Sequence, residues 1–172
     1  MRPEPGSDML DVVDADDRVV GHATRADVHR RQLLHRAVHI LVTNPEGALY
    51  VQQRAFTKDC QPGLWDTSAA GHVDRGESYA AAATRELAEE LGIVDTELHF
   101  LYAVPASRET GFEFVQVYHC ETACEPRPDP LEIVQGGWWP PTSLAAWIAA
   151  DPAVFTAVFR HIHRRFATGH SA

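Results

Sequence analysis

Residues 71–93 read GHVDRGESYAAAATRELAEELGI, and the expected fold follows from this stretch. Between Ser78 and Leu91 it contains neither proline nor glycine, and consecutive alanines are accompanied by strong helix formers, so a helix is predicted there. Gly92 follows directly and suits a left-handed C-terminal cap. Leu87 lies one turn before Leu91, and together they predict the buried stripe of this helix.

Three carboxylates share another face of the same helix. Glu89 and Glu90 follow Glu86 at i+3 and i+4, where side chains on a helix are neighbours roughly 5–6 Å apart. Because like charges repel there, the cluster favours a bound cation, and hard oxygen ligands suit Mg²⁺ or Mn²⁺. Arg85, beside the cluster, can hold a carboxylate in one orientation with its planar guanidinium. Glutamates on one helix face are more often simply solvated, and Glu89 and Glu90 alone would be interpreted in that way.

The whole stretch resembles the Nudix box, G-x5-E-x7-R-E-U-x-E-E-x-G-U, in which U is aliphatic. The matching residues are Gly71, Glu77, Arg85, Glu86, Leu87, Glu89, Glu90, Gly92 and Ile93. Seven fixed identities at about one in 15 each make a chance match on the order of 10⁻⁸ per start position. The resemblance implies an α/β fold, an α/β/α sandwich with a mixed β-sheet, in which the box forms a loop–helix–loop. It also implies a metal bound by Glu86, Glu89 and Glu90.

Apolar runs and turn residues predict the remaining elements. We expect strands at 10–14, 18–24, 36–43, 48–54, 98–105, 112–120 and 136–139, and helices at about 143–150 and 152–167. Strands interrupted by one helix and closed by C-terminal helices indicate an α/β sandwich. A length of 172 residues predicts one domain over 1–172, with N-terminal strands at about 10–30 and C-terminal helices at about 143–167.

Composition excludes several function classes. The net charge of −9 disfavours binding to a nucleic acid polymer, which depends on neutralising phosphates with Lys and Arg. No apolar run approaches the roughly 18 residues of a membrane span, and residues 1–8 lack the apolar segment of a signal peptide, so a cytoplasmic protein is expected. Three cysteines are too few for a disulfide framework, and no second ligand cluster accompanies His119, Cys120 and Cys124 as a zinc site.

Similarity extends beyond the box to the Nudix branch related to type I isopentenyl-diphosphate isomerase. The shared motifs are HRA at 35–37, QRA at 53–55, PGLWD at 62–66 and GH at 71–72. In the isomerases, His35, His72 and Glu113 fall on metal-binding positions, and His29 matches another approximately. Arg54 and Lys58 fall on positions that contact the diphosphate. Alone, these residues would equally suit structural histidines, a strand carboxylate and surface charges.

One substitution argues against isomerase chemistry. Ala70 stands before Gly71 and His72, where the isomerases have a catalytic cysteine, and alanine can neither donate nor accept a proton. Cys60 lies ten residues upstream in a different loop and is expected to be a poor substitute. The isomerases also lack the complete Arg-Glu-x-x-Glu-Glu signature. The expected activity is therefore Mg²⁺-dependent hydrolysis of a diphosphate linkage in a small nucleoside diphosphate-type substrate, with an isomerase or a non-catalytic binding module as alternatives.

The resemblance also assigns roles within the site. Glu86 and Arg85 are expected to be catalytic, and Glu113 is a candidate for the base that activates water, with Glu86 as the alternative. Arg54, Lys58, His35 and His72 are expected to bind the substrate. A small phosphorylated substrate is the expected partner; relatives are commonly dimeric, but no segment here specifies a homodimer interface.

Overall fold

A computed structural model describes residues 8–169, within which the chain forms nine strands and four helices. The strands are β1 (Met9–Val13), β2 (Val19–Thr24), β3 (His35–Thr43), β4 (Leu49–Arg54), β5 (Trp65–Asp66), β6 (Ala69–His72), β7 (His99–Val104), β8 (Glu113–Glu121) and β9 (Ile133–Trp139). The helices are α1 (Arg25–Arg31), α2 (Tyr79–Leu91), α3 (Pro141–Ala150) and α4 (Ala157–Ala167). The predictions for residues 1–7 and 170–172 lie outside the described residues. No helix between residues 8 and 169 combines the length and apolar character of a membrane span.

The main sheet is mixed and is built around β3. Its order is β5-β4-β3-β8-β7, with β6 pairing to β3 and β9 pairing to β4, while β1 and β2 form a separate hairpin. β3 runs parallel to β8 and antiparallel to β4 and β6. Because β4 pairs with β3 only at Thr43 and Leu49, the two strands diverge and β6 occupies the other half of the β3 edge.

The two faces of β3 support two apolar cores. Val38 and Ile40 pack on one side with Ala83 and Leu87 of α2. A strand places successive side chains on opposite faces, so the alternate residues of β3 belong to the second core.

That second core carries the C-terminal helices. Ala37 and Leu41 of β3 pack there with Leu144 of α3 and with Phe155 and Phe159. The sheet is therefore covered by helices on both faces, and the predicted α/β/α sandwich with a mixed sheet is confirmed.

Helix α2 confirms the prediction for the box. Ser78 is its N-cap, and its side chain accepts a hydrogen bond from the backbone of Ala81. Gly92 closes the helix in the left-handed region at φ 65°. Leu87 and Leu91 are buried, as predicted.

The prediction of a helix at 152–167 is wrong for its first five residues, since α4 begins at Ala157. Pro152–Val154 form a short 3₁₀ turn, Phe155 is extended and forms a bridge with Trp65, and Thr156 then caps α4. The Thr156 hydroxyl also donates to the buried Asp66 carboxylate. The helix start is therefore fixed by a contact 90 residues away along the chain, which the local apolar pattern does not record.

Helix α1 was not predicted, because that region was assigned to strands. It is seven residues long and has one buried residue, Val28, so its periodic signal is weak. Thr24 caps it by accepting from the backbone of Asp27, and Gln32 ends it in the left-handed region. This helix carries His29 to the end of the sheet where β6 lies.

We predict that Phe159→Ala lowers the free energy of unfolding by about 3–5 kcal/mol, because it empties a fully buried position between α4 and the sheet. Urea denaturation followed by circular dichroism measures the change. Phe100→Ala, at a position 54% exposed, is the control and should cost no more than about 0.5 kcal/mol. Equal losses in the two variants would contradict the assignment of the second core.

Candidate functional site

A cleft of about 1050 Å³ opens where β4 and β3 diverge. Most of the residues predicted for the site line it, including Glu86, Glu90, Arg54, Lys58, His72 and Glu113. Glu89 and Arg85 also reach it, and His35 lies just beneath it. The fold therefore brings the residues of the box and those of the flanking motifs to one place.

Gly71 makes room for the Glu86 carboxylate. A Cβ atom at position 71 would lie 2.0 Å from Cδ and 2.1 Å from Oε1 of Glu86, closer than any real contact. The glycine that begins the box therefore leaves open the space that the Glu86 carboxylate occupies. Glu86 is largely buried as a result.

Glu90 is fixed by two hydrogen bonds. Its Oε2 accepts from Nε2 of Gln52 at 3.0 Å and from the backbone N–H of Ala70 at 3.1 Å, and the residue is 4% exposed. Gln52 belongs to β4 and Ala70 to β6, so this carboxylate joins the two diverging strands. The sequence pattern gave no signal for Gln52.

Arg85 ties the loop of the box to its helix. Its Nε and Nη2 donate to the two oxygens of Glu77 at 3.0 and 2.8 Å, a bidentate arrangement. Nη2 also donates to the carbonyl of His72 at 3.0 Å, and Nη1 donates to Oε1 of Glu86 at 2.6 Å. The hydrogen bonds to Glu77 raise the pKa of Arg85 further, so the clamp is permanently charged.

The three box carboxylates do not converge on one point. Glu89 is the outer member, with its side chain 52% exposed, and the Arg85 guanidinium lies between it and Glu86, 3.5 Å from Glu89 Oε2. Within residues 8–169, the side-chain sets whose metal-binding atoms all lie within 4.8 Å of one another do not include this trio. Glu86 and Glu90 are the two inner members, and both are largely shielded from solvent.

The electrostatics of that inner pair suit a divalent ion. Burial raises the pKa of Glu86 to about 8, and the neighbouring Glu90 adds to the shift. Burial likewise raises the pKa of Glu90 to about 6, although Lys58 opposes it. A cation would relieve this cost, and Mg²⁺ commonly takes only one or two protein carboxylates and completes its shell with water and phosphate oxygens.

A second ligand cluster lies in the same cleft. His29, His35, His72 and Glu113 each offer an atom within 4.8 Å of the others. His72 Nε2 lies 3.2 Å from both His29 Nε2 and Glu113 Oε1. His35 Nε2 lies 3.5 Å from Glu113 Oε1, is buried and has no hydrogen bond among the described residues. A buried nitrogen that has no hydrogen-bond partner and lies beside three other potential ligands fits a metal site.

The outer nitrogens of this cluster are supported as metal-binding histidines usually are. His35 Nδ1 lies 2.8 Å from the carbonyl oxygen of Leu33, and His29 Nδ1 lies 3.2 Å from Oδ2 of Asp59. Such contacts fix the ring so that Nε2 faces the ligand group. The structure therefore places His35, for which the sequence predicts substrate binding, together with His29 in a side-chain group that could hold a metal ion.

The protonation states differ within the cluster. Burial lowers the pKa of His72 to about 4, so its ring is neutral at pH 7 and can bind a metal. Hydrogen bonds to Asp59 and Cys60 raise the pKa of His29 to about 9. Burial would raise the pKa of Glu113, but the adjacent histidines outweigh it and keep the carboxylate ionised.

The predicted phosphate-binding cations line the cleft but already have partners. Arg54 donates to the carbonyl of Cys60 at 3.0 and 3.3 Å and lies 3.6 Å from Oδ2 of Asp66. Lys58 contacts the Glu132 carboxylate, and burial lowers its pKa. These contacts orient both cations before a phosphate group binds. The contacts to Asp66 and Glu132 also neutralise part of their positive charge.

Comparison with known proteins identifies the family. A family model described as NUDIX domain matches residues 33–159. The chain belongs to the Nudix family. Among Nudix relatives, an isopentenyl-diphosphate Delta-isomerase of Serratia proteamaculans is 38% identical over 158 residues, covering 88% of this chain and 87% of that protein. A protein of Streptomyces coelicolor described as an uncharacterized Nudix hydrolase is 37% identical over 142 residues, covering 80% and 77%.

A solved structure agrees over nearly the whole chain. The crystal structure of a protein from Deinococcus radiodurans superposes with a TM-score of 0.77 at 31% identity, covering 91% of this chain and 98% of that one. The Nudix fold is thus shown. Family membership and the hydrolase-named relatives support action on pyrophosphate-type bonds in general.

We predict that Gly71→Ala weakens Mn²⁺ binding on the order of 10- to 100-fold, because the added methyl group displaces the Glu86 carboxylate. Titration followed by electron paramagnetic resonance measures the free ion. Gly21→Ala is the matched control, since a Cβ atom there has no neighbour within 4 Å. Unchanged Mn²⁺ affinity in Gly71→Ala would show that Glu86 does not hold the ion.

The metal-free protein should lose stability as the pH rises through about 8. Burial raises the folded-state pKa of Glu86 from 4.5 to about 8, so the folded state retains a proton that the unfolded state has lost. This contribution is fully present below the unfolded pKa and disappears as the pH passes the folded one. Urea unfolding in EDTA should show a smaller pH dependence for Glu86→Gln than for the wild type; equal slopes would contradict the shift.

Proposed function

We propose that the protein is a Mg²⁺- or Mn²⁺-dependent Nudix hydrolase that cleaves a diphosphate linkage in a small, nucleoside diphosphate-type substrate. The observation that carries this proposal is the buried pair of carboxylates, Glu86 and Glu90, held in fixed orientations by Arg85, Gln52 and the backbone of β6. Two buried carboxylates with raised pKa values are costly for folding, so they indicate a cation site.

The chain's own residues would divide the work. Glu86 and Glu90 would hold the metal, with Glu89 at its exposed side, and the bound ion would supply charge neutralisation at phosphate and acidify water. Arg85 would keep Glu86 in place, as its 2.6 Å hydrogen bond already does.

Cations in the cleft would offset the repulsion between an acidic protein and an anionic substrate. The chain carries a net charge of −9, yet Arg54 and Lys58 line the cleft close to the box. The fork of Arg54 suits two phosphate oxygens and Lys58 acts as a point charge. We therefore infer that these two side chains bind the phosphates, exchanging their present contacts for contacts to the substrate.

The contacts of Glu113 bear on the choice of base. It lies in the histidine cluster, 3.2 Å from His72 and 3.5 Å from His35, where a second metal would bind. These contacts favour metal binding over proton transfer for Glu113. Glu86, the other candidate for the base, is held by Arg85 and packed against Gly71.

Isomerisation of a C5 diphosphate is the second candidate function. The histidine cluster and the isomerase-named relatives favour it. Against it, Ala70 offers no proton-transfer group next to Gly71. The structure does bring Cys60 into the same cleft, with Sγ 3.6 Å from His29 Nδ1, so a thiol is present there although it lies in a different loop.

We predict that Glu90→Gln reduces Mg²⁺-dependent phosphate release by at least about 10²-fold, because a neutral amide replaces a charged metal ligand of the box. Phosphate release is followed by ³¹P NMR on nucleoside di- and triphosphates, nucleoside diphosphate conjugates and isopentenyl diphosphate. Glu97→Gln, at a side chain 84% exposed, is the matched control and should leave the rate unchanged.

The same assay separates the alternatives. Normal activity in Glu90→Gln would falsify the metal assignment. Conversion of isopentenyl diphosphate without phosphate release would support the isomerase. Failure of the wild-type protein to bind Mn²⁺ in the millimolar range would support a non-catalytic Nudix module.

A further inference from the structure

His39 lies on the cleft side of β3, directly beside Ala70. In the β3–β6 pair, His39 is opposite Ala70 and Ala37 is opposite His72. Opposed residues of an antiparallel pair point to the same face, so the imidazole of His39 stands next to the short side chain of Ala70. His39 also contributes to the lining of the cleft.

One ring nitrogen of His39 is fixed from behind. Nδ1 lies 2.8 Å from Oγ1 of Thr67 and 3.7 Å from Oδ1 of Asp66. The Thr67 hydroxyl donates its single proton to the carbonyl of Ala69 at 3.3 Å, so it accepts from His39. In the neutral ring, the proton therefore resides on Nδ1 and Nε2 carries a lone pair.

The other ring nitrogen is open to the cleft. Among residues 8–169, no hydrogen bond involves Nε2 of His39, and this atom is not one of the buried side-chain nitrogens without a partner. His39 lines the cleft although it is only 4% exposed, and Nε2 is the ring nitrogen that Thr67 does not hold. It differs in this from His35, whose Nε2 is sealed inside the ligand cluster.

Asp66 is a buried carboxylate that neither ligand cluster uses. It accepts from the backbone of Thr67 at 2.8 Å and from the Thr156 hydroxyl at 3.1 Å, and Arg54 lies 3.6 Å away. A fixed carboxylate behind an imidazole holds the ring orientation and stabilises the imidazolium that forms when Nε2 takes a proton. Arg54 and His39 both lie beside the Asp66 carboxylate. Asp66 therefore helps to position both the expected phosphate-binding side chain and the imidazole.

We propose that His39 is the general base of the reaction, with Asp66 and Thr67 as its positioning residues; the inference rests on the proposed hydrolysis. Nε2 takes a proton from a water molecule as the water oxygen forms a bond to phosphorus. The bond from phosphorus to the bridging oxygen breaks, and its electron pair leaves with the departing phosphate group. The proton then passes from Nε2 to solvent, which restores the starting tautomer.

The first test uses a variant that replaces Nδ1–H but removes Nε2. In His39→Asn the side-chain amide can replace Nδ1–H toward Thr67, but nothing replaces Nε2, so kcat should fall about 10²- to 10⁴-fold with KM nearly unchanged. A merely structural His39 would tolerate this substitution. His99→Asn is the control, because the His99 side chain is 60% exposed and lies outside the cleft.

Chemical rescue adds a readout that stability does not affect. His39→Ala leaves space between Ala37 and Ala70, both with short side chains, so added imidazole should raise kcat of this variant by on the order of tenfold. Imidazole should leave wild-type and His99→Asn activity unchanged. Urea unfolding of each variant establishes that the fold is retained.

The possible results distinguish failure of the general-base proposal for His39 from failure of the proposed hydrolysis. Loss of kcat in His39→Asn together with imidazole rescue of His39→Ala would support the proposal. Phosphate release by His39→Asn within about threefold of wild type would overturn the base while leaving the hydrolase intact. Absence of phosphate release by the wild-type protein from every compound tested would overturn both.

Discussion

The hydrogen bonds of one guanidinium organise the whole site. Arg85 binds Glu77 in the loop, Glu86 on the helix and the carbonyl of His72 on β6, so one side chain fixes three separate segments. Gly71 leaves room for the Glu86 carboxylate because it has no side chain. The side chain that orients Glu86 also binds the backbone of His72, and it thereby connects the carboxylate group and the histidine cluster of the cleft.

These two ligand groups offer different chemistry in one cavity. The buried carboxylates suit a hard ion that carries phosphate, whereas the histidine cluster suits a metal that prefers nitrogen. Relatives named as isomerases and as hydrolases both resemble this chain over most of its length, in agreement with a shared architecture. What distinguishes the two reactions is the group that moves a proton. Ala70 is inert at one position, and His39 stands beside it with a nitrogen open to the cleft.

The sequence predicted the parts of the fold that depend on local patterns. The box helix, its C-terminal cap at Gly92 and the longer strands of the main sheet follow from apolar periodicity and turn residues. The short strands β5 and β6 are not predicted, because two and four residues carry too little periodicity. The start of α4 could not be predicted, because Thr156 is held by the distant Asp66. The histidine cluster depends on the register that places His35 opposite Glu113 and on a helix with a single buried residue. Only the resemblance to the isomerases pointed to those positions, and His29 matched it approximately.

Hydrolysis is tested most directly by whether oxygen from water enters the phosphate product. The protein is incubated with Mg²⁺, ¹⁸O-labelled water and either nucleoside diphosphate conjugates or isopentenyl diphosphate, and phosphorus and proton NMR spectra are recorded. Hydrolysis predicts a phosphate product whose ³¹P signal shows the ¹⁸O isotope shift, since water attacks phosphorus. Rearrangement of the isopentenyl double bond, with unlabelled phosphates and an intact diphosphate, would contradict it.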